Sequence, residues 1–199
     1  MMSATIDRVA TPEPVPVSTL LSRYHAPPAI QELATKQPTA IGLFNELVEL
    51  GQFGDAIDLL AHWMPAQASV WWGCLTLWEA NRKQEPPHFS EAMQLIIAWL
   101  QRPEESQRRE LVQVEGWFST KVPMGLLAKA ACFSHGSMAG PDVPPVPPPP
   151  FLYAIFSAAA IKLQLALKHN SPEALLPTQV IQFGREVLAG QNQWTDDAK

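Results

Sequence analysis

The chain has 199 residues, 47% of them hydrophobic, with a formal net charge of −5 and a pI near 5.5. That apolar content is enough to bury a core, so one domain is expected, while an acidic balance without a basic stripe argues against a nucleic-acid binder. The longest uncharged apolar stretch, residues 151–161, is about half of what a bilayer crossing needs; the first residues carry acids and prolines in place of a basic region and an apolar run, so a cytoplasmic protein without membrane insertion is expected.

In chain order, residues 1–17 contain Pro12, Pro14 and Pro16 among few apolar residues and are expected as a disordered or extended arm. Short helices are predicted over 18–24 and, after Pro27-Pro28, over 29–35. A firmer helix over 38–50 has Ile41, Phe44, Leu47 and Val48 on one face and Gly51 as its C-cap. Residues 55–63 are expected to pack back on it as a helical hairpin. The next helix, 65–82, holds an aromatic cluster in which Trp71, Cys74, Leu75 and Trp78 recur at helical spacing, with Val70 and Trp72 beside them. Pro86-Pro87 ends that run, and 90–101 continues with Met93, Ile96, Ile97 and Leu100 on one stripe. Pro103 with Glu104 and Glu105 opens another helix, proline at its first turn and acids at the positive end of its dipole. An apolar helix over 123–134 follows, then a broad stripe from Leu152 to Leu167, and a last helix signalled at Ser171-Pro172-Glu173, restarting after Pro177 and running to Gly190. Residues 191–199 form a polar tail. No alternating β-branched run occurs, so strands are not expected.

The helical pattern is interrupted once. Residues 134–151 read SHGSMAGPDVPPVPPPPF; each proline fixes φ and removes a donor, so 143–150 must run as polyproline II and not as helix. Gly136 to Gly140 permit a sharp turn into it. Two readings stay open. The segment is a rigid strap across the helices that contacts the tryptophans, or it is a ligand for an aromatic-lined groove, because Pro141-Asp142-Val143-Pro144 and Pro144-Pro145-Val146-Pro147 both fit PxxP. The seven tryptophans are correspondingly core, or an aromatic hot-spot surface. Between 122 and 171 the only acid is Asp142 and the only strong bases are Lys129, Lys162 and Lys168. So poorly solvated a stretch is interior, covered by another chain, or both.

Chemistry finds little purchase. There is no CxxC, no HExxH, no calcium-spaced carboxylate loop and no phosphate-cradling glycine loop, so no cofactor and no metal are expected. Cys74 and Cys132 lie among apolar neighbours and are expected as buried reduced thiols. His62 is expected as a helix-end residue. A Cys132–His135 dyad has a chance-level spacing and no local acid partner, so no catalytic residue is assigned.

The Trp71-Trp72-Gly73-Cys74-Leu75 block after Leu60-Ala61-His62-Trp63-Met64-Pro65, then Ala98-Trp99-Leu100, and Gly136-Ser137-Met138-Ala139 leading into the proline run together resemble an uncharacterised bacterial family, a domain of unknown function of about this length. The resemblance implies genes neighbouring type VI secretion clusters, among spike and effector-loading proteins, and hence a cytoplasmic accessory, adaptor or chaperone. No residue here matches a secretion-chaperone motif.

The expectation is therefore an all-α domain of about eight helices over 18–190 with a polyproline strap between its penultimate helices. Its function is non-enzymatic protein binding, with a secretion spike or effector component as the implied partner. The candidate partner-binding residues are Trp71, Trp72, Trp78, Met138, Asp142, Val143, Pro144, Pro145, Val146 and Pro147. A self-assembling subunit is the alternative, a homo-oligomer is left open, and a small Cys/His enzyme is the remote third.

Overall fold

The computed structural model describes residues 4–5, 15–140, 142–168, 174–191 and 193–194. Within them the fold is all-α, with ten helices rather than about eight: α1 (Val17–Ser22), α2 (Pro28–Lys36), α3 (Ala40–Glu49), α4 (Phe53–Trp63), α5 (Ala66–Asn81), α6 (Phe89–Gln101), α7 (Glu105–Trp117), α8 (Pro123–Cys132), α9 (Leu152–Lys168) and α10 (Pro177–Leu188). The last-helix signal at Ser171-Pro172-Glu173 falls outside the described residues; α10 starts at Pro177. Strands were not expected, yet one minimal antiparallel ladder joins β1 (Ala4–Thr5) to β2 (Gln193–Trp194), pairing Ala4 with Trp194 and Thr5 with Gln193.

Local chemistry sets the helix ends. Thr39 caps α3, its hydroxyl accepting from the Gly42 N–H at 3.1 Å, and Pro28, Pro123 and Pro177 open α2, α8 and α10 where a missing N–H costs nothing. Gly51 ends α3 at φ +70°, its N–H donating to Val48 O while Gln52 N–H donates to Leu47 O. That is a Schellman cap, and it turns the chain directly into α4.

The middle of the domain is α5, packed against α9, α10, α8 and α6. Trp71, Trp72, Cys74, Leu77 and Trp78 are buried around its whole circumference. A helix apolar on every side belongs in the interior. The structure therefore corrects the reading of Trp71, Trp72 and Trp78 as a binding surface: no covering chain is needed, because the neighbouring helices already enclose them. The Trp72 indole N–H donates to Val180 O of α10 at 2.8 Å, and Trp78 stacks on Phe89 at 6.2 Å. Beside α5, α8 and α9 pack closely through the buried alanines Ala128, Ala131, Ala154 and Ala158. The charge-poor stretch is thus interior along α8.

Trp72 reaches α10 through a notch at Gly184. A Cβ there would lie 2.5 Å from Leu60 Cδ2 and 3.0 Å from Trp72 Cε2. The Leu60 tip must shift and the indole is tied by its bond to Val180 O, so Gly184→Ala is expected to cost about 1–3 kcal/mol through overpacking, read as a lower thermal midpoint with an unchanged helical circular dichroism spectrum.

Candidate functional site

The proline segment leaves α8 from a fixed point. Trp99, buried in α6, donates its indole N–H to Ala131 O at 2.9 Å and reaches Ser134 Oγ at 3.1 Å; the Ser134 hydroxyl itself donates to Ala131 O at 2.7 Å. Gly136 then turns the chain at φ +87°.

Beyond that turn the segment folds back on itself. Ser137 Oγ accepts from the Ala139 N–H at 3.0 Å and from the Val146 N–H at 2.9 Å, while Met138 N–H donates to Val146 O at 2.8 Å. Val146 is the one residue of 144–150 that has an N–H, so the single donor of the run is spent on this closure. The result is a pinned loop. Asp142, Val143, Pro144, Pro145, Val146 and Pro147 are all exposed, with Val143 at 55%, Val146 at 48% and nearby Met138 at 45%. A strap laid over the tryptophans would bury its underside; from 142 to 150 only Pro148 is half-buried, and Trp71, Trp72 and Trp78 lie under helices instead. Seven of the ten candidate residues thus gather on one exposed loop, and the three tryptophans lie inside the domain. Pro141, which completes the first PxxP match, is outside the described residues.

The far end is anchored too. Phe151 adopts φ +61°, a left-handed conformation costly for a side chain of its bulk. The Arg23 guanidinium lies 4.6 Å from the centre of its ring and donates to His62 O at 2.8 Å, and the Tyr153 hydroxyl donates to Met64 O at 3.0 Å. Arg23 thereby joins α1, the last turn of α4 and the entry to α9.

Below this clamp sits a group of titratable side chains. His62 stacks on Tyr24 at 4.7 Å, and its Nδ1 donates to Asp58 O at 2.7 Å, which makes Nε2 the unprotonated nitrogen. Nε2 and the Tyr24 hydroxyl are buried without hydrogen-bond partners among the described residues. The Asp58 carboxylate pairs with Lys162 of α9 at 2.6 Å. Burial, ahead of the opposing pull of Asp58, lowers the His62 pKa; burial and then the Asp58 charge raise that of Asp55; burial followed by Asp58 and Asp55 raises that of Tyr24. His62 does end α4, but it is also buried and neutral, which the sequence did not indicate.

A pH dependence follows. Because the folded-state pKa of His62 lies below its unfolded value of about 6.5, the unfolded chain takes the proton first, and stability falls as pH drops below that value. Asp55 works in the opposite direction, but only in the carboxylate range near about pH 4. The urea midpoint is therefore expected to be lower at about pH 5.5 than at about pH 7.5, and the difference to shrink in His62→Phe, which keeps the ring stacked on Tyr24 and removes the titration.

The Cys132–His135 pair lies where α8 gives way to the proline segment. Cys132 is buried, and the His135 ring lies against Trp99 with centroids 6.4 Å apart. No disulfide joins Cys74 to Cys132, and burial pushes the Cys74 thiol pKa up. Among the described residues no three His, Cys, Asp or Glu side chains come together in a metal-ligating group, and no helix is long and apolar enough to cross a membrane.

The model of the family of unknown function DUF6931 matches residues 43–188. The chain belongs to that family. The match runs from α3 to the end of α10 and takes in both the tryptophan helix and the proline loop. No curated protein and no solved structure matches the chain.

Proposed function

We propose that this chain is a non-enzymatic, cytoplasmic interaction protein that presents the loop of residues 137–150 to a protein partner. The observation that carries the reading is the combination of exposure and anchoring: an apolar run stands in solvent while Ser137, Val146, Phe151 and Arg23 hold both of its ends. Exposed apolar surface gains free energy when covered, and a polyproline backbone already fixed in place loses little entropy on binding. Since the Val146 N–H is engaged within the loop and prolines have none, a partner would read the proline rings, their carbonyl acceptors and the side chains of Met138, Val143 and Val146 rather than any backbone N–H of residues 144–150. Trp71, Trp72 and Trp78 act by bracing the domain from within.

The resemblance in the tryptophan block and the proline segment attaches this reading to type VI secretion, with the chain as an adaptor or chaperone for a spike or effector component. The test is affinity capture from the native host with the wild-type chain and with residues 143–147 replaced by a Gly/Ser segment of equal length. Spike or effector proteins recovered by the first and lost by the second, at equal thermal midpoints, are expected; a partner set unchanged by the replacement contradicts the proposal. Light scattering of the same two proteins reads contact between copies through the same loop.

A further inference from the structure

The cluster under the Arg23 clamp contains two polar atoms that the surrounding helices leave unanswered. His62 is 2% exposed, and neither its Nε2 nor the hydroxyl of Tyr24 stacked on it has a hydrogen-bond partner among the described residues. With Nδ1–H engaged by Asp58 O, Nε2 is the one ring atom that can take up a proton. Doing so in place would create a buried cationic donor with no acceptor set for it, a far costlier group than a neutral ring.

The surroundings set the balance of charge. Burial opposes a cation most strongly, Arg23 from the turn after α1 and Lys162 of α9 add to that, and Asp58 of α4 pulls the other way while paired with Lys162. Asp55 acts on Tyr24 and not on His62. Tyr24 and Tyr153 of α9 stay neutral, burial holding both above the usual tyrosine range. The other helices packed on α4, namely α3, α5 and α10, bring no charge to the ring among the described residues.

Arg23 connects this ring to the proline loop. It precedes Tyr24 in the chain, donates to the carbonyl of His62 itself and covers the Phe151 ring at the loop's end. Phe151 is held at φ +61°, a conformation that a bulky side chain abandons once nothing imposes it. The clamp therefore has a closed state and a lower-strain open one.

We infer that this is a pH-gated clamp: a proton taken up at His62 Nε2 favours an open state in which the ring leaves Tyr24 for water, Arg23 releases His62 O and Phe151, and the C-terminal end of the proline loop comes free. A proton that binds the open state better than the closed one shifts the balance by that difference in affinity. The exposed ring titrates near about pH 6.5 and the closed one lower, so the open population rises as pH falls through that value, by up to about tenfold between about pH 7.5 and about pH 5.5. The consequence for binding rests on the proposed use of the loop, because a freed loop loses more entropy on binding and acid should weaken a partner's hold. The clamp itself is testable without a partner.

The test is amide exchange of the full chain by NMR, each rate divided by its intrinsic rate at the same pH. Three amides report on the loop end: Leu152 N–H, bonded to Pro149 O, and Ala154 and Ile155 N–H, bonded to Phe151 O. Their protection should fall several-fold, up to about tenfold, from about pH 7.5 to about pH 5.5. In His62→Phe, which keeps a ring on Tyr24 and the carbonyl that Arg23 binds, the fall should vanish; His62→Gln, neutral as well, is the second variant. Both leave the other histidines in place, so a fall that they abolish belongs to position 62. Arg23→Ala should give low protection at both pH values and no further fall. Loop-end protection equal at the two pH values, or an undiminished fall in both His62 variants, would overturn the clamp. A tenfold fall together with partner capture that ignores residues 143–147 would strike the proposed use of the loop and leave the clamp standing.

Discussion

Trp72→Ala should lower the unfolding free energy by about 3–5 kcal/mol, the range for truncating a buried tryptophan. With total stabilities of about 5–15 kcal/mol typical, that is a large share of the domain's reserve. The side chain is fully buried, fills the notch at Gly184 and donates to Val180 O one turn before it. Trp72→Phe separates the contributions: most of the ring burial remains and the hydrogen bond is lost, at about 1 kcal/mol for a neutral bond. Chemical denaturation of the two variants reads the difference. Near-wild-type stability in Trp72→Ala would return this residue to the surface role that its burial denies it.

Arg23→Ala should cost about 2–3 kcal/mol, combining a charged hydrogen bond to His62 O with the cation–π contact to Phe151. A local consequence distinguishes it from a general loss of stability. Without the guanidinium, the Phe151 ring keeps its core packing and its contact with Tyr153, centroids 6.3 Å apart, but loses the cation that covers it at φ +61°, so the loop end should loosen, and amide exchange at Leu152 and Ala154 should accelerate more than at the centre of α5. Arg23→Lys should not restore it, because an ammonium lacks the flat fork that lies on the ring while also donating sideways. Uniform acceleration across the chain would mean that Arg23 serves global stability only.

Much of the architecture was legible because helix signals are local. Proline at a first turn, glycine after the last apolar residue and an i, i+3, i+4 stripe located α3, α6 and α8 to within about two residues. The role of the tryptophans was harder. A stripe of Trp71, Cys74, Leu75 and Trp78 implies one buried face, whereas Trp72 and Leu77 on the other faces are buried as well and Leu75 is only partly so. The informative signal was the absence of any charge in α5 before Glu79, which marks a helix enclosed on all sides. For the proline run, the sequence dictated conformation but not placement. Proline is apolar and has no donor, so it is compatible with both a packed strap and a solvent-exposed loop; residues 142–147 are exposed, and the Val146 N–H bond to Ser137 Oγ, nine residues away, closes the run on itself. The Asn81–Gln164 pair spans 83 residues, and no local pattern announces two amides that meet only when α5 and α9 pack.

The proposed use of the loop rests on its being the surface a partner covers. The most direct measurement is site-specific photocrosslinking in the native host, with a photoreactive phenylalanine analogue at Val143 and, as control, at Ile41 of α3, also exposed. A discrete heterologous adduct from position 143 and none from position 41 is the predicted result. The same adduct from both positions, or none from position 143 while the partner is still captured, would contradict the assignment of this loop as the contact.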